Sequence, residues 1–293
     1  MSKPLQACIV TAFLFLSSLI CQAQMIIHPV RVISPEYTMF WNTKSLFNPA
    51  ATATESIYEA SITGRGQWVG HKDAPLNLGL MLGMKSDILH GGAGFDYSFA
   101  RYGQTLINHD FKLNYSYHMK LGEDRLLSAG ISAGMTLMKY DFPFDEPLID
   151  DNGHDTFYDF QFGLFFRSTH LRLGLSSTHF QYFDPYSEKN TLTLIHWYSS
   201  YGFDITDKIE FRPELLILFP ELKTDDLALS TGFIATLNKI FQAGFTYRTN
   251  NSYGFTSGVN IAGKLQLGYL FEYTINKPGQ ALGNHEFMMS FLM

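Results

Sequence analysis

The chain has 293 residues, 21 basic and 27 acidic, for a formal net charge of −6. That balance excludes a nucleic-acid footprint, which needs clustered Lys and Arg. Charged residues make up only 16% and aromatics 15%, whereas about a quarter of an ordinary soluble domain is charged. In chain order, residues 1–23 read as a secretory signal peptide. Lys3 supplies the charge, Ala7 to Ile20 the apolar stretch, and Cys21-Gln22-Ala23 a small-residue cleavage site before Gln24. A lipoprotein cut at Cys21 is the competing reading, disfavoured by the bulk of Ile20 just before it. Cys8 and Cys21 are the two cysteines, so the processed chain has no thiol for disulfides or thiolate metal sites. Beyond the leader, no run reaches the 18 or more apolar residues of a spanning helix.

Residues 24–56 lack a clear period. They hold Pro29, Pro35 and Pro49, the aromatics Tyr37, Phe40 and Trp41, and the run Phe47-Asn48-Pro49-Ala50. This segment reads as an N-terminal arm in the periplasm or as a plug tucked into a lumen. Its aromatics fit either a partner contact or packing against an inner wall.

From residue 57 to 293 the chain alternates apolar and polar with period two. Strands are predicted near 57–69, 75–85, 91–101, 106–119, 125–139, 156–167, 171–182, 191–203, 208–219, 226–237, 240–249, 253–262, 265–275 and 283–293. Leu127, Ala129, Ile131, Ala133, Met135 and Leu137 oppose Ser128, Gly130, Ser132, Gly134 and Thr136. Leu265, Leu267, Tyr269, Phe271, Tyr273 and Ile275 oppose Gln266, Gly268, Glu272 and Thr274, with Leu270 the exception. One face is too apolar for water and the other too polar for a packed core. Lipid outside and a wet bore inside satisfy both. The expected fold is therefore all-β: a transmembrane antiparallel β-barrel of about 14 strands in the outer membrane. Tight turns at 168–170, 204–207, 238–239 and 263–264 alternate with mostly longer connections at 140–155, 183–190, 220–225 and 276–282. Short periplasmic turns and longer outer loops are the rule in such barrels, which places both termini in the periplasm. Pro213 calls for a bulge or an edge-like position within its strand. Tyr58 and Trp68, ten residues apart on one predicted face, would sit about 26 Å apart along the membrane normal, the height of a lipid band between aromatic girdles.

Three short motifs resemble the PorP/SprF family of outer-membrane proteins associated with the type IX secretion system. They are Asn48-Pro49-Ala50 before the first strand, Arg65-Gly66-Gln67-Trp68 followed by Ala74-Pro75, and Gly283-Asn284-His285-Glu286 opening the last strand. The family-motif positions are thus Asn48, Pro49, Arg65, Gln67, Trp68, Pro75, Gly283, His285 and Glu286. The sequence departs from the family at Ala51-Thr52-Ala53, where an aromatic and a glycine are usual. It also ends on Met293, where barrel-assembly signals usually end in an aromatic; Phe291 lies two residues back. The resemblance implies a non-enzymatic export component that helps deliver or retain secreted clients, including gliding adhesins, and that meets periplasmic secretion-system proteins and outer-membrane lipid. It implies no cofactor.

Among candidate sites, Arg65 and Glu286 face the lumen from the first and last strands and are expected to meet across the closing seam, where such a pair fixes register. The alternative is two solvated lumen charges. Asp141, Asp145, Glu146, Asp150, Asp151 and Asp155 crowd loop 140–155. Asp150, Asn152 and Asp155 loosely follow a calcium-loop spacing, but the terminal bidentate glutamate is missing, and a solvated acidic loop is the plainer reading. Asn114, Ser116 and His118 share a strand face. Neighbours two apart stand about 7 Å apart, too far for a Ser–His relay, so they read as polar lumen residues and the chain as no enzyme. Phe183-Asp184-Pro185-Tyr186 offers an outer-loop contact or a wall anchor. The inward glycines Gly79, Gly83, Gly130 and Gly134 leave room for a rival function, a channel for hydrophobic small molecules.

Overall fold

The computed structural model describes residues 37–141, 152–181, 191–220, 227–249, 252–275 and 281–293. The expected strands form in order: β1 (Tyr58–Gly66), β2 (Leu76–Ser86), β3 (Gly91–Tyr102), β4 (Leu106–Lys120), β5 (Leu126–Asp141), β6 (Asn152–Arg167), β7 (Leu171–Gln181) and β8 (Thr191–Tyr201). They continue as β9 (Phe203–Thr206), β10 (Ile209–Pro220), β11 (Ala228–Leu237), β12 (Phe241–Arg248), β13 (Ser252–Ile261), β14 (Leu265–Thr274) and β15 (Asn284–Leu292). Each pairs antiparallel with the next, except that β8 and β9 both pair with β10 and not with each other, and β15 pairs back onto β1 from Glu59↔Leu292 to Gly66↔His285, closing the ring.

Fifteen strands occupy fourteen wall positions because one position is broken. β10 pairs with β8 from Glu214↔Ser200 outward and with β9 from Phe211↔Phe203 inward. Pro213, which has no N–H to donate, lies opposite the gap at Tyr201–Gly202. The predicted irregularity is thus a break in the facing strand rather than a bulge at the proline itself.

Period-two alternation decides the two faces. Leu113 (68% exposed), Phe255 (64%) and Phe287 (61%) look outward, while Asp159, Glu272 and Glu286 on the opposite face are fully buried. A band of exposed Leu, Ile and Phe over most strands of the wall has no place in water and matches hydrocarbon. Tyr58 and Met293 exchange two backbone hydrogen bonds at one end of the barrel. The connections at that end, 87–90, 121–125, 168–170, 207–208, 238–240 and 262–264, are short, which marks it as the periplasmic end.

Three expectations change. The first strand stops at Gly66, where Gln67 N donates to Pro75 O. Trp68 adopts φ +50° in the connection that follows, so strand counting from Tyr58 does not apply to it and the 26 Å girdle spacing does not hold. β5 and β6 run further than predicted, pairing Asp141 with Asn152 and Met138 with Asp155. Asn152 and Asp155 therefore stand on a strand rather than in a calcium-type loop. Asp145, Glu146, Asp150 and Asp151, like 183–186, the leader and 24–36, lie outside the described residues.

The arm in the bore

Residues 37–56 form short turns: a 3-10 turn at Phe40–Asn42, one helical turn at Lys44–Phe47 and a second 3-10 turn at Pro49–Ala51. None is long enough to be stable alone; the wall supplies the hydrogen bonds that these turns leave open. Ser45 Oγ reaches Asp96 on β3, Ser116 on β4 donates to Thr52 O, Ser128 on β5 to Ala50 O, and Ser176 on β7 to Phe47 O. Phe40 packs edge-on to Tyr198 of β8, 6.3 Å between centroids. On the far side, Thr38 N and Met39 N donate to Glu286 of β15. A segment that touches strands all round a closed ring lies inside it.

Asn48-Pro49-Ala50 is the seat of this arm. Asn48 Oδ1 accepts from Ala50 N at 3.0 Å and caps the turn, with Pro49 at the first turn position, where its missing N–H costs nothing. Asn48 Nδ2 donates to Leu164 O of β6 at 3.1 Å. The wall must come close here. A Cβ on Gly163 would stand 2.0 Å from Asn48 Oδ1, and one on Gly130 2.2 Å from Ala50 N. Glycine is required at both by space alone.

Near the outer end, Arg65, fully buried, faces two carboxylates. Its Nη1 lies 3.3 Å from Glu286 Oε2 and its Nη2 2.6 Å from Glu272 Oε1. Glu286 also accepts the Thr38 and Met39 N–H groups at 2.7 and 2.8 Å. Glu272 accepts Thr38 Oγ1–H at 2.9 Å and Asn284 Nδ2–H at 2.6 Å. Thr38 Oγ1 in turn contacts Arg65 and lies 3.4 Å from Arg248 Nη1. Arg65 and Glu286 thus meet at paired positions across the seam, and their cluster also grips the arm. Glu272, Thr38, Arg248 and Asn284 were not singled out from the sequence. The inward alternation of Glu272 was legible, but its partner in the aperiodic arm was not.

The second and third motifs converge at the outer end of the same seam. Trp68 N donates to Asn284 Oδ1 at 2.9 Å, and Val69 N to Gly283 O at 2.9 Å. Gln67 and Pro75 close the base of the connection through their backbones, and Gly283 takes φ +114°, a region other residues avoid. His285 faces outward, its Nδ1 2.8 Å from Tyr269 Oη. Asn48 and Pro49 are not part of this group; they sit against β5–β7.

At the periplasmic mouth, Glu55 is held by Lys44 at 3.0 Å, Arg172 at 3.1 Å and Arg167 at 3.7 Å. Burial acts to raise its carboxyl, but Lys44 and the two arginines outweigh that and hold it well below the usual carboxylate range.

Ser116 and His118 stand closer together than their spacing along the strand predicts. Ser116 Oγ and His118 Nε2 are 2.8 Å apart, because their side chains lean together along the strand. Ser116 is fully buried under Thr52 O, and His118 Nδ1 has no hydrogen-bond partner to orient the ring. Asn114 turns away to Asp96 at 2.7 Å. Ser116 and His118 secure the arm at Thr52 O.

A closed antiparallel ring of fourteen positions, apolar outside and polar within, defines an outer-membrane β-barrel. The chain belongs to the family of type IX secretion system membrane proteins PorP/SprF, which matches residues 30–291. No curated protein matches the sequence. Among solved structures, the CymD monoaromatic hydrocarbon channel is similar with a TM-score of 0.50 at 9% identity, over 85% of this chain and 91% of that one. The toluene transporter TbuX of Ralstonia pickettii gives 0.48 at 9%, over 92% and 98%. Omp33 of Acinetobacter baumannii gives 0.46 at 10%, over 80% and 98%. Identity this low speaks to the shared barrel fold alone.

Proposed function

We propose that this barrel is a non-enzymatic binding component of type IX export. Its outer surface and loops engage a secreted client, such as a gliding adhesin, and its periplasmic face engages secretion-system proteins after leader removal near Ala23. Segment 37–56 acts as a resident plug. The observation that carries this over the channel reading is the occupied bore: a Cβ on Gly79 would stand 3.0 Å from Tyr37 Oη, and one on Gly83 3.3 Å from Ala53 N. The room that suggested a solute path is taken by the chain's own arm. At Gly134 the neighbours are Asp159 and Lys112, charged groups that an apolar solute would avoid. Pulldown of the tagged protein from crosslinked outer membranes should recover a secreted client and periplasmic secretion proteins, and deletion should remove that client from the cell surface. Normal surface display together with lost uptake of a hydrophobic solute would overturn the reading in favour of the channel.

A further inference from the structure

The outward face of the wall carries almost no charge, and what it carries is of one sign. Alternation puts every acidic strand residue whose side chain the structure describes on the bore side, Glu59, Asp110 and Asp159 among them. Among the described residues, the lipid side of the strands receives two cations, Arg101 of β3 and Lys139 of β5. Both are exposed, and neither has a hydrogen bond or an ion pair among the described residues. Acids outnumber bases in the chain, 27 to 21, so the basic sign of this face does not follow from composition.

The registers align the two cations. Arg101 pairs with Ile107, Ile107 with Lys139, and Lys139 with the exposed His154, one row across β3–β6. Strand spacing puts Arg101 and Lys139 about 10 Å apart and His154 about 5 Å beyond. Arg101 stands ten residues from Gly91, the start of β3. That is about 26 Å along the membrane normal, the outer edge of the lipid band. One same-face step towards the membrane centre, His109 meets Phe99 at 5.3 Å between centroids, and its Nδ1 lies 2.9 Å from Tyr97 Oη. Deeper still the face is apolar, with Leu113 68%, Phe160 50% and Phe162 53% exposed. Cations above an aromatic belt above an apolar wall follow the layers of a lipid: headgroup, interface and acyl chain.

We propose that this row binds the phosphate of an anionic lipid in the outer leaflet. The Arg101 fork takes two phosphate oxygens and Lys139 adds a point charge. Both side chains are long enough to converge on one phosphate from about 10 Å apart. His154 supplies a further donor beside Lys139, and Phe99, Phe111 and Leu113 lie under the acyl chains. Charge that served only to meet water could be of either sign and on any strand. Here, among the described residues, it is basic and confined to β3–β6. The site goes beyond the export reading: it rests on the barrel's place in the membrane, not on any secretion partner.

The test uses native mass spectrometry of the full-length protein released from detergent micelles. The probes are lipid A, a glycolipid bearing two phosphates, and the same glycolipid with both phosphates removed. The phosphorylated form should stay bound as discrete adducts and the dephosphorylated form should not. Arg101→Gln combined with Lys139→Gln should weaken retention about thirtyfold, since each interfacial cation is worth roughly a factor of five. Lys208→Gln, which removes a cation from a periplasmic turn, should leave retention unchanged. Folding of each variant is checked by its gel mobility without boiling. Equal retention of the two glycolipids, or undiminished retention by the folded double variant, overturns the proposal. An equal loss in Lys208→Gln overturns it as well, because net charge alone would then hold the lipid. So does displacement of the adduct by an equal concentration of inorganic phosphate, because the row would then be reading a free anion.

Discussion

The arm is fastened at two ends by ion clusters of opposite character. At the outer end Arg65, Glu272 and Glu286 have side chains no more than 2% exposed. At the periplasmic end Lys44, Glu55, Arg172 and Arg167 are 15–31% exposed. In the first cluster every carboxylate oxygen is engaged by a guanidinium, an amide or a hydroxyl, and the geometry admits little choice. In the second, one carboxylate is shared among three cations that water also solvates. Burial makes the outer cluster demanding and brittle; solvation makes the inner one forgiving.

Breaking the outer cluster should have the largest effect. Arg65→Leu removes the cation that pairs directly with both buried carboxylates, and losing one partner of a buried pair typically costs about 3–5 kcal/mol. Urea unfolding in micelles should show a loss of that order, and adding Glu272→Gln should recover part of it. A loss no greater than that of a surface pair would mean the cluster is wet. Next in size is the seat. Gly163→Ala puts a methyl where Asn48 Oδ1 stands, an overpacking of about 1–3 kcal/mol, relieved most simply by displacing the arm. Proteolysis of the folded variant within 37–56, absent in the parent, would register that displacement, and a planar bilayer should show ion conductance that the parent lacks.

The wall was far more legible than the arm. Lipid on one side and a polar bore on the other impose period two on every strand, so β5 and β14 read directly from alternation, and even Leu270 has its reason: it faces inward against Met39 and Met288. The seam contact of Arg65 with Glu286 follows from the same alternation once the ring is closed. Nothing periodic governs residues 37–56, so Thr38, the third body of that cluster, left no signal. Trp68 misled because a tryptophan gives no warning of φ +50°. Ser116 and His118 misled because spacing along a strand fixes Cβ positions, not where two flexible side chains meet.

The smallest effects belong to the periplasmic cluster. Glu55→Gln should cost within the range of exposed pairs, about 0.2–1 kcal/mol for each, yet it carries a pH signature. Because the folded-state carboxyl of Glu55 is depressed, its stabilisation is fully present above the ordinary value of 4.5 and fades as acidification carries the pH below that value towards the folded one. Urea midpoints measured from neutrality down through this range should therefore converge for the parent and Glu55→Gln, the parent losing its advantage below about pH 4.5. A gap between the two that stayed constant with pH would mean that the cations at the mouth do not hold this carboxylate, and that the arm's lower end depends on packing alone.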